Sequence, residues 1–222
     1  MQNDYYWSDE WSEEFYIELA KAGFISTSHD TKAGLVLLPE LQNDYAILDF
    51  ENLHISNKVK KLLARNRYEL SFNKRFNEVI KRFPSEYDHN WLKEEYAELL
   101  TKLYLNSDKY ENFKIVSVEL VCKESSKLVA GEIGYIISDT YTSLSGFSSK
   151  EKRHTNSGTL QLVLLAQHLQ KNSFRFWNFG HPHMQYKKRL GCKTYTRVEF
   201  LKRWLSATSP HTSIATKLYQ LS

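Results

Sequence analysis

A single carboxylate interrupts an apolar, strand-like stretch at residues 128–137. That residue is Glu132, and strand alternation puts it on the same face as Ala130 and Gly134, small residues that leave room for a ligand. Burial in such a strand raises the pKa of a carboxyl toward neutrality, where it can accept a proton from an amine. The competing interpretation is a solvated strand residue or a paired structural acid. We therefore treat Glu132 as a candidate general base.

A run of cations without acids is the second chemical feature. Five cations fall within ten residues, and they are Lys58, Lys60, Lys61, Arg65 and Arg67. Lys58, Lys61 and Arg65 recur at helical spacing and form one stripe, whose simplest use is contact with nucleic-acid phosphates. The competing interpretation is a solvated helix face. The basic surface extends to Lys74, Arg75, Lys81 and Arg82, and a separate second basic group consists of Lys187, Lys188 and Arg189.

The histidines and cysteines give no metal pattern. His181 and His183 have the spacing of two ligands but lack a third, so we predict no metal site. Cys122 and Cys192 lie far apart, and no close Cys/Cys or Cys/His spacing frames a zinc site. We expect two free thiols in a reducing compartment.

The composition is that of an ordinary globular protein. Among 222 residues, 41% are hydrophobic and 25% are charged, so the chain can form a core and wholesale disorder is not expected. The formal net charge of +4 is too small by itself to establish a nucleic-acid partner. The N-terminus lacks a basic segment followed by an apolar stretch, and no apolar run approaches the ~20 residues that span a bilayer. We expect a soluble, cytoplasmic protein.

Hydrophobic periodicity predicts the order of the elements. Helical spacing predicts helices over residues 11–22, 58–66, 73–83 and 91–104. Pro84 is expected to stop the third of them. Alternation and β-branched residues predict strands over residues 114–122, 128–137 and 140–147. The remaining predicted elements are a helix over 159–170, a strand over 174–179, and helices over 184–189 and 198–205. This order predicts an α+β fold with helices packed on a sheet.

Several short segments, in this order and at compatible spacing, resemble those of the leucyl/phenylalanyl-tRNA–protein transferases. They are Leu53-His54-Ile55-Ser56, residues 68–80, Trp91-Leu92 with Tyr96, Ser117-Val118-Glu119, residues 128–135, and Leu190-Gly191-Cys192 with Arg197 and Phe200-Leu201. The resemblance covers about residues 15–204. Residues 142–147, 158–162 and 186–191 are more similar to a divergent branch of the family that occurs in some eukaryotes and a few bacteria.

The resemblance implies an acetyltransferase-like (GNAT-type) mixed sheet with packed helices. It implies a small N-terminal domain at residues 1–52 and a catalytic domain at residues 53–222, which begins with the basic helix. The implied activity is transfer of Leu, Phe or Met from aminoacyl-tRNA to the N-terminal α-amino group of an acceptor protein, which marks it for degradation by the N-degron pathway. The implied tRNA contacts are the five cations near residue 60 and Lys187. The donor ester is already activated, so no cofactor is required.

The resemblance also implies site residues. The family Asp in the strand after the long helix is replaced here by Asn178. An amide takes up no proton at useful pH, but it can orient an amine or donate to an oxyanion, so both Asn178 and Glu132 are predicted as catalytic. Leu144 stands where the common bacterial form has a second acid. Predicted substrate contacts are Phe147, Gly146, Glu119, Trp177 and Gly180.

Two other classes of function stay open. An acetyltransferase needs a loop with paired glycines before the long helix, whose amides cradle a pyrophosphate. Residues 152–158 lack those glycines, so this class is disfavoured. A non-catalytic relative that only holds tRNA or protein N-termini is favoured by Asn178.

Overall fold

The computed structural model describes residues 6–40, 42–86 and 91–209. Its helices are α1 (Glu13–Lys21), α2 (Asn57–Arg65), α3 (Phe76–Glu86), α4 (Glu94–Leu105), α5 (Ser157–Lys171), α6 (Gln185–Leu190) and α7 (Arg197–Thr208). Its strands are β1 (Ile25–Thr31), β2 (Gly34–Glu40), β3 (Asp44–Leu48), β4 (Tyr68–Phe72), β5 (Phe113–Cys122), β6 (Leu128–Ile137), β7 (Thr140–Ser148), β8 (Phe176–Asn178) and β9 (Lys193–Thr196). The outer ends of the two predicted domains, 1–5 and 210–222, lie outside the described residues.

A seven-stranded mixed sheet organises the molecule. Its strand order is β4-β5-β6-β7-β8-β3-β9. The neighbours β7 and β8 are parallel, and the other neighbouring strands are antiparallel. A parallel pair needs a long crossover, and α5 provides it between β7 and β8. The predicted α+β class with a mixed sheet and packed helices is confirmed.

Helices cover both faces of this sheet. One hydrophobic cluster joins α1, α3, α4 and α7 to the first face and includes Tyr16 and Trp204. A second cluster joins α2 and α5 to the other face and includes Val59 and Leu165. Because both faces are covered, β6 is buried at every position, which explains why its sequence is apolar on both sides of Glu132.

The N-terminal segment divides between two sheets. β1 and β2 pair with each other in a two-stranded sheet, whereas β3 pairs with β8 and β9 in the large sheet. The indole N–H of Trp204 donates to the carbonyl oxygen of Lys21 (2.8 Å) and ties α7 to the end of α1. The division of the chain at residue 52 stays a prediction.

The predicted helices are confirmed to within one turn at each end. The predicted stop at Pro84 is wrong, because α3 continues to Glu86 with Pro84 in its last turn. A proline there removes a helical hydrogen bond, but α3 is anchored by an apolar face that includes the buried Val79 and Phe83. Strands β1 to β4 and β9 have no counterpart in the sequence prediction.

Gly191 ends α6 with a φ of +109°, and a Cβ at this position would overlap the carbonyl oxygen of Asn52. We expect Gly191→Ala to lower the free energy of unfolding by at least about 3 kcal/mol, because backbone strain and a backbone clash add together. Gly34→Ala is the matched control, because Gly34 also has a positive φ but open space around its Cβ position. The control should cost about 1–2 kcal/mol. Chemical denaturation measures both values, and equal costs would contradict this account.

Candidate active site

A cavity lies where two parallel strands separate. β7 and β8 pair only over residues 140–142 and 176–178. Beyond this point β7 continues along β6 to Ser148, while the chain after β8 turns away at Gly180 toward α6. The space between them has a volume of about 630 Å³.

The cavity wall combines segments that are far apart in sequence. β6 contributes Glu132, β7 contributes residues 143–148, and the chain after β8 contributes residues 179–181. The β1–β2 hairpin adds Glu40, and the first turn of α5 adds Thr159. Of the predicted site residues, this wall holds Glu132, Gly146, Phe147, Gly180 and Lys187.

Glu132 is held by two hydroxyl groups inside the sheet. Its side chain is buried at 4% exposure. Its Oε1 atom accepts hydrogen bonds from the hydroxyl of Tyr141 (2.8 Å) and from that of Ser143 (2.6 Å). The indole N–H of Trp177 donates to Ser143 Oγ (2.8 Å) and so fixes the second of these partners. Trp177 therefore supports the site from behind and does not line the cavity.

Local sequence explains how these hydroxyls reach Glu132. The β6–β7 register shifts between Ile133 and Gly134, so Leu144 is an extra residue in β7. Gly134 leaves the space that the Tyr141 hydroxyl occupies, because a Cβ there would overlap it. Burial raises the pKa of Glu132 to about 7, and the two hydroxyl hydrogen bonds oppose that rise. Glu132 is thus an acid that can exchange a proton near neutral pH.

Phe147 has a fixed position in the cavity wall. Its ring is buried at 6% exposure, and the ring of Phe83 meets it edge-on at 5.5 Å between centroids. The guanidinium carbon of Arg82 lies 4.4 Å from the Phe147 centroid, and Arg82 is also paired with Glu86 (2.8 Å). An aromatic held in this way can bound a pocket for an apolar side chain.

Asn178 lies beneath the cavity and does not line it. The side chain is buried at 1% exposure. Its Oδ1 accepts the backbone N–H of Gly180 (2.9 Å), and its Nδ2 lies 3.5 Å from Thr142 Oγ1. The amide therefore stabilises the turn that follows β8. The sequence prediction had placed it in contact with the reacting groups.

Glu119 also lies away from the cavity. It is completely buried and accepts hydrogen bonds from Ser71 Oγ (2.7 Å), Ser117 Oγ (2.5 Å) and the backbone N–H of Arg75 (3.4 Å). These partners order the turn before α3, so the expected substrate contact is replaced by a structural role. Burial raises the pKa of this carboxyl, and the hydrogen bonds oppose the rise.

The basic helix α2 presents its cations outward. Lys58, Lys60, Lys61 and Arg65 are exposed, and within the described chain none of them forms an ion pair. Arg67 is exposed as well but pairs with Glu124 (3.0 Å). The buried side of α2 packs on α5, whose first turn lines the cavity. The stripe is thus available to a large anionic ligand.

Lys187 differs from its neighbours Lys188 and Arg189, which are exposed. Its side chain is buried at 3% exposure, and its Nζ donates to the carbonyl oxygens of Phe179 (2.7 Å) and His181 (2.6 Å). Lys187, a predicted tRNA contact, therefore lies inside the cavity wall and not on the outer surface.

Three groups at this site were not anticipated from the sequence. Glu40 lines the cavity and accepts hydrogen bonds from Thr27 (3.1 Å) and Gln42 (2.6 Å), and burial raises its pKa. Tyr141 and Ser143 hold Glu132 through their hydroxyl groups. They are two residues apart in β7, and this spacing, which places both on one face of a strand, was visible in the sequence.

No metal cluster or membrane helix is found in the part of the chain that the structure describes. The rings of His181 and His183 stack at 5.5 Å, but no group of three His, Cys, Asp or Glu side chains comes together among the described residues. None of the described helices is both long enough and apolar enough to cross a bilayer.

Known proteins resemble this chain both in fold and in sequence. The fold resembles a crystal structure of FemX, with a TM-score of 0.52 and 11% sequence identity over 71% of this chain and 61% of that chain. This likeness confirms the acetyltransferase-like fold. The family model for leucyl/phenylalanyl-tRNA protein transferase matches residues 47–205, which is well over half of the chain. The chain therefore belongs to the leucyl/phenylalanyl-tRNA–protein transferase family and to the aminoacyltransferases.

Two relatives carry the same family description. The leucyl/phenylalanyl-tRNA–protein transferase of Flavobacterium psychrophilum is 28% identical over 160 residues, 70% of each chain. The transferase of Dinoroseobacter shibae is 24% identical over 164 residues, 68% of each chain. The placement in a eukaryote-like branch stays a prediction.

The hydroxyl of Tyr141 lowers the pKa of Glu132, so removing it should raise that pKa. We expect Tyr141→Phe to shift it upward by at least about one unit, because a hydrogen bond to a charged group contributes about 1.5–3 kcal/mol. Carboxyl ¹³C NMR titration measures the shift. Ser145→Ala is the control, because Ser145 lines the same cavity without bonding to Glu132. An unchanged titration in Tyr141→Phe would contradict the assigned network.

Proposed function

We propose that this protein transfers Leu, Phe or Met from aminoacyl-tRNA to the N-terminal α-amino group of an acceptor protein, which marks the acceptor for degradation by the N-degron pathway. The observation that carries the proposal is Glu132, a buried carboxyl with a pKa of about 7 at the cavity between β7 and β8. It lies inside the region that matches the family. The two curated relatives bear the name of this activity.

Glu132 is suited to the one proton transfer that this reaction requires. The acceptor amine has a pKa near ~8, so it must lose a proton before it attacks an ester carbonyl. A carboxylate with a pKa of about 7 is largely ionised at slightly alkaline pH and is a base of nearly matched strength. The wall around Phe147, which is apolar and rigidly held, is the place we assign to the transferred side chain.

The basic helix supplies the affinity for tRNA in this proposal. Unpaired lysines on α2 neutralise phosphates and release counterions, which gives binding without sequence selectivity. Packing of α2 on α5 keeps this surface on the element whose first turn lines the cavity. The body of the tRNA would then contact α2, and its aminoacylated end would reach the nearby cavity.

A second candidate function is binding without transfer. Asn178 favours it, because the family Asp is absent and the amide is engaged with Gly180. Under this alternative, charged tRNA binds and acceptor N-termini remain unchanged.

A transfer assay separates the two candidates. The protein is incubated with charged total tRNA and peptides that differ at residue one, and the products are identified by mass. We expect peptides lengthened by one Leu, Phe or Met residue. Tight tRNA binding with unaltered peptides would establish the binding-only alternative.

Reversal of the stripe tests the tRNA surface. We expect Lys58→Glu with Lys61→Glu and Arg65→Glu to abolish tRNA binding without unfolding. Binding of the wild-type protein should weaken steeply with salt, by about 0.7–0.9 in log–log slope for each phosphate contacted. The matched control reverses three exposed lysines elsewhere, Lys32, Lys102 and Lys202, so the change in net charge is the same. Equal losses in both triple variants would mean that only net charge matters.

Glu132→Gln tests the base. We expect the chemical step to fall by at least ~10², with fold and tRNA affinity retained. The rate of the wild-type protein should rise with pH through the ionisation of Glu132 near 7 and that of the amine, and the variant should lose the lower limb.

Glu119→Gln is the matched control, because Glu119 is an equally buried acid away from the cavity. Transfer by Glu132→Gln at the wild-type rate would show that positioning of a neutral amine is sufficient.

A further inference from the structure

A buried ammonium group lies in the cavity and takes no part in the proton transfer assigned to Glu132. Lys187 Nζ donates to two backbone carbonyl oxygens, those of Phe179 and His181, and the side chain lines the cavity. An ammonium group has three N–H donors. Two of them are used by the wall itself, which leaves one donor for a ligand.

The charge of Lys187 has no partner of opposite sign. Within the described chain Lys187 forms no ion pair, although burying an ammonium group costs several kcal/mol. Burial lowers its pKa to about 8, so the cationic form still predominates at pH 7.

The titratable groups that act on Lys187 do not neutralise it. Burial raises the pKa of the Cys192 thiol to about 12, so that thiol stays protonated. The pKa of His181 is lowered, first by burial and then by the charge of Lys187, so its ring stays neutral. Glu132 lines the same cavity but is held by Tyr141 and Ser143.

A buried, unpaired cation with a free donor at a cavity wall suits a ligand that becomes negative only during reaction. We infer that Lys187 binds the oxyanion of the tetrahedral intermediate in the transfer reaction. This inference rests on the proposed function. The two carbonyl hydrogen bonds hold Nζ in place before the substrate arrives, and such preorganised donors stabilise developing charge strongly.

In the chemical step Glu132 carries the proton and Lys187 stabilises the negative charge. The neutral amine nitrogen forms a bond to the ester carbon, and the carbonyl π electrons move to oxygen, which becomes the anion beside Lys187. Glu132 takes the proton that the nitrogen loses. Collapse restores the C=O bond and breaks the bond to the ribose oxygen, which takes up the proton that Glu132 received from the nitrogen. Lys187 keeps its own protons throughout.

Two stable analogues of aminoacyl-adenosine test this inference by binding alone. One carries a neutral amide, and the other carries an anionic phosphonate that imitates the tetrahedral intermediate. We expect wild-type protein to bind the phosphonate at least ~10²-fold more tightly than the amide. Lys187→Met, which removes the charge at similar length, should lose this preference and keep the affinity for the amide. Lys171→Met, which changes an exposed lysine at the end of α5 away from the cavity, should keep both.

A second measurement, the pH dependence of analogue binding, tests the inference if the Lys187→Met variant fails to fold. This measurement uses Glu132→Gln, so that the carboxyl does not titrate in the same pH range. In this variant the preference for the phosphonate should decline from pH 7 to pH 9 as Lys187 loses its proton, whereas Glu132→Gln with Lys187→Arg should show no such decline. Persistence of the preference in Lys187→Met, a pH-independent preference in Glu132→Gln, or equal weakening of both analogues would overturn the inference. Failure of wild-type protein to bind either analogue would contradict the proposed function itself.

Discussion

Two parallel strands that pair for three residues and then separate determine where the cavity can form. A fully paired sheet has no space between neighbouring strands, because its backbone groups bond to one another across about 5 Å. Beyond residues 142 and 178, β7 and the chain after β8 no longer form backbone hydrogen bonds with each other. Side chains or a ligand must therefore fill the space between them. Asn178 holds the turn at this point through the Gly180 N–H, and α5 bridges the two strands on the outside.

Two opposite charges lie in this cavity without pairing with each other. Glu132 bonds to hydroxyl groups, and Lys187 bonds to backbone carbonyls, so each is fixed by neutral partners. Neutral partners do not cancel either charge. The pKa of Glu132 is therefore raised and that of Lys187 is lowered, because burial disfavours the charged form of each group. An aminolysis reaction has complementary needs, since it releases a proton from nitrogen and builds negative charge on oxygen. Separate, rigid positions for the two charges meet both needs in one cavity.

The sequence predicts much of this fold because several elements carry strong local signals. β6 is apolar except at Glu132, and α2 begins after Ser56 and ends at Asn66 in the left-handed conformation, so their bounds are close to those predicted. The unpredicted strands depend on distant partners. β4 pairs with β5 across α3 and α4, and β1 is largely polar, so neither has a hydrophobic run long enough to reveal it.

The site is less predictable than the fold, because burial of single side chains depends on register. Burial of Glu132 follows from its apolar strand, but its hydroxyl partners depend on the bulge at Leu144. Lys187 belongs to a basic run in the sequence, although its spacing to the buried Leu190 places both on the inner side of α6. Asn178 was predicted as catalytic, but its hydrogen bond to the turn holds the amide beneath the cavity, and this depends on the fold of the turn.

We expect the aminoacyl end of the tRNA to enter the cavity between β7 and β8, beside Glu132. A crystal structure with an amide-linked aminoacyl-adenosine tests it most directly. The account predicts the acyl carbon inside this cavity, within hydrogen-bond reach of the Glu132 carboxyl, and the amino-acid side chain against Phe147. Binding in a second cavity of about 490 Å³, beside Ser71 and Lys74, with the first cavity unchanged, would contradict this assignment.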